Sequence, residues 1–230
     1  MMATFAQSPI AFNAWAALLG SLSKALDVKT RDSIGLAVSE VNGCDYCLTV
    51  HSFTAEHMAK LPADSKPTLD AFTKNIGFTP NMMAAFAQSP IAFNAWATLL
   101  GSLSKALDVK TRDSIGLAVS EVNGCNYCLT VHSFTAEHMA KLPADEIILA
   151  RKGHASDPKR DAAVQFARKV IETRGKVGDA DLKAVRDAGY TDANVIEIVA
   201  LVAMYSLTNF FNNVFDPEKD FPAVTPAGSI

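Results

Sequence analysis

The sequence lacks several features that mark other classes of protein. It has no block of lysine and arginine, and its formal net charge is −3 with a pI near 5.9. No uninterrupted apolar run reaches the roughly 18 residues that a membrane span needs. Neither nucleic acid nor a membrane is therefore expected as a partner. A glycine-rich nucleotide or flavin fingerprint is also missing, so no bound cofactor is expected.

The N-terminal stretch is apolar enough to resemble a signal peptide, but two features oppose that reading. No positively charged residue precedes the apolar run, as a secretory signal would require. Residues 1–20 also recur almost unchanged at 82–101, where they cannot be a cleaved leader. We interpret both stretches as core helices and expect a cytoplasmic protein.

Cysteine is scarce, and its placement is restricted. The 230 residues include four cysteines, and all of them lie in two C-x-x-C pairs within the stretches EVNGCDYCLTVH and EVNGCNYCLTVH. In a reducing cytoplasm, such a pair is more often catalytic or metal-binding than a structural disulfide.

The two stretches belong to a long internal repeat. Residues 1–64 align with 82–145 without a gap, and the only differences are Thr4/Ala85, Ala17/Thr98 and Asp45/Asn126. The second copy alone has a long continuation, so we predict that 65–230 is a complete domain and that 1–64 is an extra partial copy. We expect 1–64 to fold as three helices and to dock as a partner subunit would, because its apolar faces are too large to leave in water.

The hydrophobic pattern is helical throughout, with no alternating strand pattern. Ser-Pro pairs at Ser8 and Ser89 predict helix starts, Thr30 is a candidate cap of the next helix, and Asn-Gly predicts its end. A third helix is expected from Cys44 to about Leu61. The second copy is expected to repeat all three helices. Downstream helices are expected at 158–175, at 180–188 and from Thr191, followed by an irregular tail. The sequence therefore predicts an all-α fold.

The second pair illustrates the chemistry that the repeated motif allows. Cys125, Cys128 and His132 are spaced i, i+3, i+7, which places them on one face of a helix. Cys125 lies at the predicted helix start, where the dipole lowers a thiol pKa. Glu121 lies just across the turn and disfavours a thiolate, so its sensible role is proton acceptor. The first motif offers the same groups at Glu40, Cys44, Cys47 and His51.

Two other interpretations stay open on the residues alone. Two cysteines, a histidine and a glutamate could bind zinc, although one helix face rarely presents three tetrahedral ligands. The cysteines could also be inert core residues, which the neighbouring Glu and His make less favourable. Three asparagines on the last helix could orient a polar group or lie at the surface, namely Asn209, Asn212 and Asn213.

The motif E-x-x-x-C-x-Y-C-x-x-x-H, following RDSIGLAVS, resembles the carboxymuconolactone decarboxylase superfamily in its alkylhydroperoxidase D branch. The resemblance covers 65–230 and is closest to the peroxidase-related proteins of that branch. It implies a helical alkylhydroperoxidase D-like bundle that assembles into dimers, trimers or hexamers. A single motif is usual in such a domain, and this chain departs from the family in residues 1–64, which carry an additional motif.

The resemblance also implies a thiol peroxidase or a dithiol–disulfide reductase, with a peroxide or disulfide substrate and an external thiol reductant. Carried over, Cys128 attacks, Cys125 resolves, Glu121 is the base and His132 relays the proton. The helix dipole favours the opposite order of the cysteines, and we expect the order of the family. The alternatives are a lactone decarboxylase-type or other acid–base enzyme, and a non-catalytic redox or zinc-binding oligomer. The cysteine pair argues against decarboxylation, since the true decarboxylases generally lack it.

Overall fold

The computed structural model describes residues 7–22, 25–26, 34, 38 and 66–230, and every regular element in these residues is a helix. The all-α prediction is therefore confirmed. In chain order the helices are α1 (Pro9–Leu22), α2 (Lys66–Ile76), α3 (Asn81–Phe86), α4 (Pro90–Leu103), α5 (Val109–Val122), α6 (Asn126–His138), α7 (Ala144–Arg151), α8 (Pro158–Glu172), α9 (Asp179–Asp187) and α10 (Asp192–Phe215). The first motif, with Glu40, Cys44, Cys47 and His51, lies outside the described residues.

Several helix starts agree with the sequence because their caps are local. The Ser89 hydroxyl accepts a hydrogen bond from the Ala92 amide at 3.3 Å, with Pro90 in the first turn. Asp157 caps α8 in the same way, and Thr191 forms a capping box with Asn194 at the start of α10.

Two boundaries of the second copy differ from expectation. Thr111 was expected to cap α5 by analogy with Thr30, but the cap is Asp108, whose carboxylate accepts from the Thr111 amide at 3.1 Å. A carboxylate that reaches two groups of Thr111 is a better cap than the threonine itself. The helix that carries the motif ends at His138 and not near Leu142, because Lys141 adopts a left-handed backbone conformation with φ 56°.

Helix α10 lies at the centre of the fold. It contacts α4, α5, α6 and α8, and its buried face includes Ile198, Leu201 and Met204. The helix is long and apolar enough to cross a membrane by length and composition alone. More than half of its apolar stretch is buried inside the protein, as is usual for a core helix.

Helix α1 of the first copy packs on α4 of the second copy, although the two helices have nearly the same sequence. Ala11 and Ala14 are fully buried in a cluster that includes Leu99 and Leu103. The Ser8 hydroxyl also donates a hydrogen bond to Glu197 on α10 at 2.8 Å. The described part of the first copy is thus docked on the second. Its predicted three-helix fold lies mostly outside the described residues and stays a prediction, as does the division at 64/65.

The tail after α10 is irregular, as expected, and it crosses back over the motif. Phe221 stacks on Phe134 of α6 with ring centres 4.3 Å apart. The Ala227 amide donates to Asn126 at 2.9 Å, and the Gly228 amide donates to Glu121 at 2.7 Å. Residues 216–230 therefore form part of the surroundings of the motif.

Candidate active site

The turn between α5 and α6 places the two described cysteines side by side. Helix α5 ends at Val122, and Gly124 adopts φ 65°, the left-handed conformation that glycine tolerates. Cys125 follows as the N-cap of α6, and its sulfur accepts a hydrogen bond from the Cys128 amide at 3.3 Å. Both thiols are free and buried, with exposures of 0% and 3%.

The negative charge of this pair is favoured on Cys125. Its pKa is lowered chiefly by a hydrogen bond from the Cys128 thiol, against burial, and further by the Cys128 amide and the Asn209 side chain. The pKa of Cys128 is raised well above its usual value by the same thiol–thiol hydrogen bond, by burial and by the nearby charge of Cys125. This agrees with the helix-dipole argument. The order of attack implied by the family resemblance stays a prediction.

Two of the three asparagines on α10 face the thiols. Asn212 is 2% exposed and donates from Nδ2 to the Cys128 sulfur at 3.1 Å. Asn209 is fully buried, donates to Ser120 at 3.1 Å and accepts from Asn123 at 2.9 Å. The third, Asn213, is exposed. Their spacing in the sequence showed a possible polar group but not which members were buried.

Glu121, the candidate base, is held in an ion pair and by the tail. One carboxylate oxygen lies 2.8 Å from Nε of Arg151, and the other accepts from the Gly228 amide. The Arg151 side chain is 4% exposed, and it also donates to the carbonyl groups of Thr225 and Pro226. In this arrangement Glu121 joins α5, α7 and the tail. No hydrogen bond joins it to either thiol within residues 66–230.

His132, the candidate relay, is paired with an acid that the sequence analysis did not select. Its Nδ1 lies 3.2 Å from Asp113 Oδ1, which also accepts from Thr135. The Tyr205 ring meets the imidazole edge-on at 4.9 Å. A cavity of about 260 Å³ lies beside these side chains and is otherwise largely apolar. Asp113 could have been noticed as a charged residue on the buried face of α5.

Aromatic and sulfur-containing side chains pack around the thiols. The buried cluster around them contains Met82, Phe86, Phe93, Trp96 and Tyr127. The Tyr127 hydroxyl donates to Asp220 of the tail and accepts from the Met82 amide at 3.3 Å. The tail and α3 are thereby tied to the first turn of α6.

Only part of the second motif therefore comes together in the structure. Cys125 and Cys128 are in contact, whereas Glu121 and His132 each bind a different partner. No cluster of three potential metal ligands occurs among the described residues. The roles of the four motif residues in a reaction stay predictions.

Comparisons with solved structures return the same fold. An alkylhydroperoxidase AhpD-core, peroxidase-related protein from Ralstonia eutropha JMP134 is 27% identical with a TM-score of 0.63, and the match covers 70% of this chain and 87% of that one. A peroxidase-related protein from Silicibacter sp. TM1040 is 19% identical with a TM-score of 0.60, covering 66% and 83%. The apo debrominase Bmp8 is 20% identical with a TM-score of 0.54, covering 69% and 90%. No curated protein matches the chain significantly.

The sequence also matches a family profile twice. The carboxymuconolactone decarboxylase family profile matches residues 9–88 and again 90–173, which together make up more than half of the chain. The fold, the C-x-x-C pair and this double match agree, and the chain belongs to the carboxymuconolactone decarboxylase family.

Proposed function

We propose that the protein is a thiol-dependent peroxidase, or a dithiol–disulfide reductase, that uses Cys125 and Cys128. The observation that carries this proposal is the pair of free thiols in contact at the start of α6, one with a lowered and one with a raised pKa. Such a pair contains a nucleophile and a proton donor in one hydrogen bond. The likeness to peroxidase-related proteins supports the same conclusion.

The two thiols supply both electrons that reduce the peroxide. A thiolate attacks the terminal oxygen of ROOH, the O–O bond breaks, and the leaving RO⁻ takes a proton to become ROH. The sulfenic acid so formed is attacked by the other sulfur, which forms the disulfide and releases water. An external thiol then reduces the disulfide, since no nucleotide or flavin fingerprint is present in the sequence.

His132 is proposed to return the proton to the leaving group. It follows Cys128 by four residues on α6, which puts the two side chains on one helix face. The Asp113 carboxylate fixes the imidazole through Nδ1 and leaves the other ring nitrogen for proton transfer. Glu121 is proposed as the base, although its ion pair with Arg151 also gives it a structural role.

The test is a peroxide titration of the fully reduced protein, read by intact mass and free-thiol count. Loss of two thiols, mapped to 125 and 128, supports the proposal, and loss of four shows that the first motif reacts as well. Rapid alkylation with no loss of thiols to peroxide or to a small disulfide contradicts it. Peptide mapping of partial alkylation at pH 7 separates the two cysteines, and we expect Cys125 to react first.

One observation favours a second candidate, an acid–base enzyme on the same fold. The His132–Asp113 pair lies beside the 260 Å³ cavity, where a small substrate could bind. Cys128→Ser separates the two candidates, because only the peroxidase must lose its activity. His132→Gln should weaken both.

The partners and location remain proposals. We propose a cytoplasmic homo-oligomer. The packing of α1 on α4 supports the self-association alone, because it shows that helices of nearly the same sequence are complementary. A second copy could supply the same helix. Sedimentation equilibrium of the full chain tests this, and a monomer mass at all concentrations would contradict it.

A further inference from the structure

The side chain of Asn212 is engaged at one end and unpartnered at the other. Its Nδ2 donates to the Cys128 sulfur at 3.1 Å and to the Met82 sulfur at 3.2 Å. Its Oδ1 is buried and has no hydrogen-bond partner in the described part of the chain. A buried amide oxygen is destabilising unless a donor reaches it, so this atom is suited to a ligand that donates a hydrogen bond.

This atom is set apart from the other buried polar atoms that lack a partner. Within the described residues these are Ser133 Oγ and Arg160 Nε. Only Asn212 belongs to a side chain that is hydrogen-bonded to a thiol. The amide carries its donor and its acceptor on the same planar group, so a ligand on Oδ1 lies next to the sulfur on Nδ2.

We propose that Asn212 binds the –OOH group of a hydroperoxide, accepting its hydrogen bond on Oδ1 while Nδ2 holds the Cys128 sulfur. This inference rests on the proposed peroxidase function and narrows its substrate class. In this step Cys128 attacks, as the family resemblance implies, after the proton shared by the two thiols has moved to Cys125. One amide then brings the attacking sulfur and the terminal oxygen together in an orientation suited to attack.

The hydrogen bond to Oδ1 is kept throughout the oxygen transfer. The terminal O–H that donates to Oδ1 is the group that moves to sulfur, because the thiolate bonds to that oxygen while RO⁻ departs and is protonated. The product S–O–H still carries the hydrogen that Oδ1 accepts. When Cys125 attacks the Cys128 sulfur, that hydroxyl takes a proton and leaves as water.

The side chain of Met82 covers the donor end of the Asn212 amide. This residue is 7% exposed and contacts the same Nδ2 that binds Cys128. Its backbone is held by the hydrogen bond to Tyr127, but its side chain has three rotatable bonds. Rotation about these bonds would move the Met82 sulfur away from Nδ2 without displacing the backbone of α3.

A disulfide substrate lacks the hydroxyl that this site recognises. A disulfide sulfur offers no hydrogen to Oδ1, and the same is true of iodoacetamide at the carbon that reacts. Loss of Oδ1 should therefore slow the reaction with peroxide more than the reaction with either of these reagents. A purely structural role of Asn212 would slow all three alike.

The experiment compares second-order rates at Cys128 with hydrogen peroxide, hydroxyethyl disulfide and iodoacetamide at one pH, read from the mass of the Cys128 peptide. It uses the reduced full-length protein with Cys125→Ser as the background for every variant, because Cys125 would otherwise be alkylated first. For Asn212→Leu we expect the ratio of the peroxide rate to the iodoacetamide rate to fall about tenfold to a hundredfold, as for loss of a hydrogen bond to a reacting group. Asn212→Asp keeps an oxygen acceptor but adds charge near the thiols, so all its rates should fall while the ratio changes little. Asn213→Leu is the matched control, because this neighbouring amide is exposed and its hydrogen bond, at 2.8 Å, goes to the Asn123 carbonyl and not to a thiol. Its rates would share any effect on the turn, but its ratio should equal that of the protein with Asn213 intact.

Each outcome decides a different point. An unmodified protein that is alkylated but ignores peroxide contradicts the proposed function, and this inference with it. An unmodified protein that consumes peroxide, with an unchanged ratio in Asn212→Leu, contradicts this inference alone. If thermal unfolding shows that the leucine variant is not folded, Asn212→Ala takes its place with the same expected fall in the ratio.

Discussion

Glu121 illustrates how a candidate base can also hold a fold together, and its replacement gives the sharpest stability prediction. The Glu121 and Arg151 side chains are 11% and 4% exposed, and their charged groups lie 2.8 Å apart. Glu121→Gln leaves the buried guanidinium without an anion, and breaking such a pair costs about 3–5 kcal/mol. At about 2–4 °C per kcal/mol for a protein of this size, the melting temperature should fall by roughly 6–20 °C.

The assay is urea unfolding followed by circular dichroism, which gives the free energy of unfolding for each variant. The matched control is Glu172→Gln, which removes the charge from an exposed pair with Arg168 at 2.7 Å. Exposed pairs of this kind contribute about 0.3–0.5 kcal/mol. Equal losses in Glu121→Gln and Glu172→Gln would refute the reasoning.

A double variant separates the two roles of Glu121. In Glu121→Gln with Arg151→Met, no uncompensated charge remains buried, so most of the lost stability should return. If Glu121 only clamps the fold, peroxide consumption should return as well. If Glu121 is the base that the sequence suggests, the double variant should fold and remain slow.

Two further predictions each concern a single contact, the first tested against a matched serine variant and the second by NMR. Ser8→Ala should lower the free energy of unfolding by about 1–3 kcal/mol more than Ser89→Ala does. Both changes remove a helix cap, but only Ser8 also donates a hydrogen bond to the buried Glu197. Equal losses in urea unfolding would contradict the docking of α1. Gly116→Ala should displace the His132 ring and destabilise the fold by about 1–3 kcal/mol, because the new Cβ would lie 2.6 Å from the imidazole. The chemical shifts of the histidine ring in an NMR spectrum check this displacement, and an unchanged His132 signal would argue against it.

The sequence was most informative where structure is set by neighbours along the chain. Ser89 with Pro90, and Asp157 with Pro158, start helices because a cap bonds an amide three residues away. Gly124 ends the turn after α5 because it accepts a left-handed conformation. The C-x-x-C pair is likewise local, since one helical turn brings Cys125 and Cys128 together.

Contacts across the fold were less accessible from the sequence. The Glu121 partner Gly228 is 107 residues away, and no local pattern marks it. Asp113 appeared as one more charged residue until the packing of α5 on α6 placed it beside His132. The choice among Asn209, Asn212 and Asn213 depended on which side of α10 faces the core, and an apolar helix of this length leaves that side ambiguous.

The contacts between the tail and the motif can form only late in synthesis. The hydrogen-bond partner of Tyr127, Asp220, lies 93 residues downstream, and the tail partner of Glu121, Gly228, lies 107 residues downstream. At about 5–20 residues per second, the ribosome needs roughly 5–20 s to supply them. During that interval the nascent chain carries its thiols without the tail and without α10, whose Asn212 donates a hydrogen bond to Cys128. The surroundings that tune the cysteines are therefore completed late in synthesis, long after the cysteines themselves have been made.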